Sequence, residues 1–142
     1  MYGIKKKLIN KLQVAQNAAV RLVNKLKKID NVTTHRKELH WLPIQARIEF
    51  KMLTLTWKAR NEQAPNYIKE LIRTKNTLEG LRNHNKNLLE VPIDAKSKLS
   101  IRAFNAAAPV LWNQLPESTK NKKTLNSFKR DLKTYLFRKY YN

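Results

Sequence analysis

The sequence has no cysteine, which excludes both a disulfide framework and a cysteine-based zinc site. Only two of its 142 residues are glycine. That argues against Gly-rich phosphate loops and against a β-rich fold with many tight turns. Long apolar runs are missing too, and none approaches the roughly 20 residues of a membrane span. Lys5, Lys6 and Lys7 are not followed by the unbroken apolar region of a secretory signal. Acids are scarce: 10 Asp and Glu stand against 30 Lys and Arg, for a net charge of +20. Such a chain repels itself and attracts polyanions, with nucleic acid the first candidate and anionic membrane the second. The expected location is nuclear or cytoplasmic, neither secreted nor transmembrane. The length suits one domain with a core of its own.

What is present is helical spacing. In the stretch from Glu38 to Ala59, Pro43 suits a first helical position. After it, Ile44, Ile48, Met52, Leu55 and Ala59 form one apolar stripe, and Phe50, Leu53 and Trp57 form a second. A helix apolar on two sides belongs in the middle of a domain. Trp41 and Leu42 read as its hydrophobic lead-in. Upstream, Lys5 to Ile29 reads as one long helix, with Leu8, Leu12, Ala15, Ala19, Leu22 and Leu26 on a face. Its other face carries Lys11, Arg21, Lys25 and Lys28, and no acid precedes Asp30. Thr33 or Thr34 is placed to cap a short helix reaching His40, with Glu38 closing a capping box.

The central helix is expected to fade near Ala64 and Pro65. Pro65 then opens a short helix that buries Tyr67, Ile68, Leu71 and Ile72. Arg73 to Lys86 reads as a long basic loop holding Arg73, Lys75, Arg82, His84 and Lys86. Leu88 to Ile93 suits a short extended segment, confined to an edge by Pro92, and Asp94 to Leu99 a polar turn. Ser100 to Leu115 reads as helix with a kink or break near Pro109, ended by Pro116. Glu117 to Lys123 reads as a turn. Thr124 caps a last helix that buries Leu125, Phe128, Leu132, Tyr135 and Leu136. Lys129, Arg130, Lys133, Arg138 and Lys139 line its outer face, opposed only by Asp131. The expected class is therefore all-α: an irregular helical bundle with a long basic loop and at most a short extended segment. It divides as residues 1–76, a loop at 77–99, and C-terminal helices at 100–142.

Catalytic chemistry finds little support. Two-metal phosphoryl chemistry needs gathered carboxylates, and the acids here are isolated singles. Glu90 and Asp94 lack companion ligands. His35, His40 and His84 are scattered, and no serine or threonine has a His–Asp partner suggested by spacing. Neither metal nor cofactor is expected, and no enzyme is read. Aromatics interleave with cations at the C-terminus, where Tyr135, Tyr140 and Tyr141 flank Arg138 and Lys139. That pattern suits base stacking, or else packing by Tyr135 and fraying of the last two.

Five segments occur in order: LQVAQNAAVRLV, ELHWLPIQARIEFKMLTLTWKA, APNYIKELI, IRAFNAAAPVLWNQLPESTK and SFKRDLKTYLF. Together they resemble the C-terminal, thumb and post-thumb region of reverse transcriptases from non-LTR retrotransposons of the jockey, CR1 and L2 type. The resemblance runs from about Leu8 to Phe137. It implies that Leu12, Gln13, Gln16, Asn17, Ala18, Ala19 and Arg21 match a thumb-associated helix near template and primer. The metal-binding aspartates of that family lie upstream, and nothing here matches them, the endonuclease, or the Cys/His knuckle of some lineages. The chain is thus expected to be a non-catalytic remnant of such an element. Its partners would be RNA, DNA or an RNA–DNA hybrid, and the upstream polymerase domains. The expected phosphate contacts are Lys11, Arg21, Lys25 and Lys28 on the first helix and Lys129, Arg130 and Lys133 on the last. Arg73, Lys75, Arg82 and Lys86 would close over a bound strand. The rival readings are a module that docks on the polymerase core, binding to a membrane surface by the basic helices, and a remnant without cellular function.

Overall fold

The computed structural model describes residues 6–75, 87–92 and 103–142. Arg82, His84, Lys86, the turn at 94–99 and the start of the helix expected at Ser100 lie outside the described residues. Among the described residues seven helices follow one another: α1 (Lys6–Val23), α2 (Val32–Glu38), α3 (Ile44–Arg60), α4 (Asn66–Lys69), α5 (Phe104–Asn113), α6 (Glu117–Lys120) and α7 (Leu125–Tyr141). No strand occurs among the described residues. One antiparallel bridge joins Thr74 to Leu89, within the extended segment expected after the basic loop. The protein is all-α.

The core forms around α3, which packs against α1, α4, α5 and α7. Leu53 and Trp57 from α3, Leu111 and Trp112 from α5, and Phe128, Leu132 and Leu136 from α7 are buried together. Phe128 lies between two indoles, its ring centroid 5.7 Å from Trp57 and 5.9 Å from Trp112. Both indole N–H groups are satisfied: Trp57 donates to the Lys122 carbonyl at 3.2 Å and Trp112 to the Asn87 carbonyl at 2.8 Å. Leu89 is buried under α5 by a side chain that copies a strand. The Leu89 N–H donates to Asn113 Oδ1 at 2.8 Å, and Asn113 Nδ2 donates back to the Leu89 carbonyl at 2.9 Å. Arg60 covers the Trp112 ring at 4.9 Å. Burial pushes its guanidinium below the ordinary arginine value, and Glu117 partly offsets this.

Several boundaries differ from expectation, each for a local reason. The first helix stops at Val23, not Ile29. Lys25 takes φ 51°, Leu26 N–H donates to the Arg21 carbonyl at 2.9 Å and Lys25 N–H to the Leu22 carbonyl at 3.4 Å. This is a Schellman stop with lysine where glycine is usual. His40 (φ 53°) ends α2 and Glu62 (φ 57°) ends α3 in the same way, so α3 closes at Arg60 before Ala64. Asn31, not a threonine, caps α2, its side chain accepting from Thr33 N–H at 3.0 Å. Glu38 turns to His35 instead of closing a capping box. Pro43 is the N-cap residue of α3, one position before the first helical residue.

The face of α1 also differs. Ile9, Gln16 and Val20 are buried, while Leu8, Leu12 and Leu22 (81% exposed) face outward, as does Ile29 beyond the helix end. The polar side turns inward because the corner before α3 needs hydrogen bonds. Gln16 Nε2 donates to the Leu42 carbonyl at 2.8 Å, and Gln13 Oε1 accepts from Ile44 N–H at 3.0 Å. The two glutamines bracket Pro43, which has no N–H of its own. Gln13 thereby supplies the α3 N-terminal cap that Pro43 cannot.

Downstream, Tyr67 and Leu71 are exposed rather than buried. The helix α5 runs through Pro109 without breaking. Pro109 lies in its second turn, so only the Asn105 carbonyl loses its helical partner, and Ala106, Ala107 and Ala108 bury closely around it. Glu117–Lys120 forms a helical turn, α6. Thr124 caps α7 as expected, accepting from Ser127 N–H at 3.2 Å, and Phe128, Leu132 and Leu136 are buried.

Candidate nucleic-acid interface

The end of α7 is bound to the start of α3. Glu49 is 4% exposed, and its carboxylate accepts from Lys139 Nζ at 3.0 Å and from Tyr140 Oη at 2.7 Å. Tyr141 Oη donates to the Trp41 carbonyl at 2.5 Å and accepts from Arg36 Nε at 2.8 Å. Arg36 is buried, and its Nη1 also donates to Asn17 Oδ1 at 3.0 Å. Phe137 stacks on His40, at 5.8 Å, and meets the Tyr141 ring at a tilt, at 4.7 Å. Tyr140 and Tyr141 are therefore held at an interior seam. They neither fray nor stand clear as a stacking platform.

Beside this seam, α3, α7 and the corner before α3 enclose a groove of about 600 Å³. Trp41, Leu42 and Phe50 give it an apolar lining, and His40, Arg47, Lys51 and Lys133 are its polar members. Among the described residues, no carboxylate lines it. Glu49, between Arg47 and Lys51 in sequence, points to the opposite side of the helix, where Lys139 neutralises it. His40 Nδ1 lies 2.9 Å from the Glu38 carbonyl, which can only accept, so Nδ1 carries the hydrogen.

The expected cations fall into separate groups. Lys133 joins the groove, and Lys129 and Arg130 precede it on α7, Arg130 exposed and Lys129 half-buried. Lys11 is exposed on α1. Arg21 is half-buried, with a buried Nε that has no hydrogen-bond partner among the described residues. Lys25 and Lys28 are exposed but lie beyond the helix, in the turns that follow it. Arg73 and Lys75 flank the Thr74 bridge, and Arg73 shares a smaller hollow with Glu70 and Glu90.

Arg47 and Lys51 were not among the expected contacts. Their signal in the sequence is an i,i+4 pair of cations set between two apolar stripes of one helix. Among the described residues, Lys69 pairs with Glu62, Lys120 with Glu117, Lys122 with Asp131 and Lys139 with Glu49. Lys11, Arg47, Lys51, Lys129, Arg130 and Lys133 form no ion pair with a described acid. No cluster of three or more histidines or acids that could hold a metal occurs among the described residues, and no described helix is long and apolar enough to cross a membrane.

No family model, curated protein or solved structure matches this chain. The fold and the groove define an all-α, strongly basic protein with an aromatic-floored cationic groove.

Proposed function

We propose that this chain is a non-catalytic nucleic-acid-binding module corresponding to the C-terminal region of a non-LTR retrotransposon reverse transcriptase. It grips template, primer or their hybrid through phosphates, with little base-edge readout. The observation that carries this reading is the division of charge. The described acids that form pairs take Lys69, Lys120, Lys122 and Lys139, and leave Arg47, Lys51, Lys129, Arg130 and Lys133 on α3 and α7 for an outside anion. Phosphate contacts displace counterions, so affinity falls with salt by about 0.9 log unit per log unit for each contact on a duplex.

The test is binding of single-stranded RNA, duplex DNA and an RNA–DNA hybrid across a salt series, for the parent and a Lys129→Glu/Arg130→Glu/Lys133→Glu variant. The variant is expected to bind more weakly with a slope shallower by about three. Equal binding by parent and variant refutes the assignment. A second reading, docking on the upstream polymerase domains, is favoured by Leu8, Leu12, Leu22 and Val23, all exposed on α1. Under that reading a Leu12→Lys/Leu22→Lys variant loses an apolar-dye signal of the parent and keeps its nucleic-acid affinity.

A further inference from the structure

We infer that the groove beside the α3–α7 seam takes an unpaired base of a single strand, with the flanking phosphates on Arg47, Lys51 and Lys133. This rests on the nucleic-acid reading above and specifies the strand and the place. The floor, Trp41, Leu42 and Phe50, suits a flat apolar body. The described polar members are all cations or histidine, which suits an occupant negative at its edges. A volume of about 600 Å³ lies within the roughly 300–1,000 Å³ of small-molecule sites, room for a nucleotide. A base inside a duplex is stacked on both faces and cannot enter, whereas an unpaired base can swing out onto an aromatic side chain.

The site is also held ready. The left-handed backbone of His40 puts its ring on Phe137, and the Tyr141 bond to the Trp41 carbonyl fixes the corner that carries the indole. Neither Arg47, Lys51 nor Lys133 must leave a described carboxylate to meet a phosphate.

Fluorescence isolates this groove. Trp57 and Trp112 are each 1% exposed, while Trp41 is half-buried at the groove, so quenching by a base reports Trp41. The experiment titrates the full chain with labelled oligothymidine and with an abasic oligonucleotide of equal length, reading tryptophan emission and label anisotropy together. Oligothymidine is expected to quench, and the abasic strand to bind about tenfold more weakly without quenching. Trp41→Phe keeps a flat ring and the backbone carbonyl; it should abolish the quench and retain the binding. Arg47→Ala and Lys51→Ala, at exposed positions, should weaken both strands. Equal affinity for the two strands with no quench overturns the groove and leaves charge-driven binding intact. Absence of binding by either strand overturns the nucleic-acid reading itself. A quench by anionic phospholipid vesicles that oligothymidine does not displace overturns the proposal in favour of lipid.

Discussion

Replacing Glu49 with alanine should loosen the seam between α3 and α7 by an amount set by its surroundings. The substitution removes two hydrogen bonds to a charged acceptor, from Tyr140 at 2.7 Å and Lys139 at 3.0 Å. Bonds of that kind contribute about 1.5–3 kcal/mol each. The Lys139 side chain is 36% exposed, so its ammonium regains water once the partner is gone, and its share is discounted by half or more. The expected loss is about 2–3 kcal/mol, or about 6–9 °C in melting temperature for a domain of this size. Glu49→Gln keeps an acceptor for Tyr140 and gives up the charge and the exposed Lys139 bond, so about 1 kcal/mol is expected. Urea titrations followed by circular dichroism measure both. The loss should persist in high salt, because Glu49 is buried and weakly screened. If both variants unfold within about 0.5 kcal/mol of the parent, the bonds do not hold the seam and this reasoning fails.

Four further outcomes follow from the same contacts. Gln13→Ala removes the cap that α3 borrows from α1 and should cost about 1 kcal/mol by denaturant titration, with no change expected if water replaces the amide. Tyr141→Phe leaves the Trp41 carbonyl and Arg36 Nε without their hydroxyl partner, and a loss of about 1–3 kcal/mol is expected in the same assay. Lys25→Gly relieves a left-handed lysine at the end of α1 and should raise stability by up to about 1 kcal/mol; a lower melting temperature would contradict the Schellman stop. Leu22→Lys, at an outward position, should leave stability within about 0.5 kcal/mol, and a large loss would mean that α1 packs through its apolar face.

The fold class was readable because helical spacing persists where packing is strongest. Leu53 and Trp57, and Phe128, Leu132 and Leu136, are buried as their periodicity requires. Helix ends were less readable, since Lys25, His40 and Glu62 take the left-handed positions that glycine usually marks. With no glycine to signal a stop, the apolar pattern ran on past Val23. The orientation of α1 was hidden for another reason: Gln13 and Gln16 answer backbone groups at Leu42 and Ile44, and no count of apolar residues contains that demand. Those two glutamines and Asn17, which the resemblance places near template and primer, have their side-chain bonds inside the protein. The groove drew one residue, Lys133, from the expected contacts and the rest from a stretch read as core, because two faces of α3 are apolar and the cations lie between them.

The seam also bears on the order in which the chain can fold. Its bonds join residues 90 apart at Glu49–Lys139 and 105 apart at Arg36–Tyr141. Closing a loop of that length carries an entropy cost of about 4 kcal/mol, which no single bond in the seam repays alone. The local pairings, α1 with α2 and α6 with α7, need no such closure and are expected to form first. Docking of α7 onto α3 then comes late and shapes the groove as it closes. In a stopped-flow chevron, Glu49→Ala should therefore steepen the escape from the native state, raising the unfolding rate far more than it slows refolding. A matching drop in the refolding rate would put the seam in the nucleus instead.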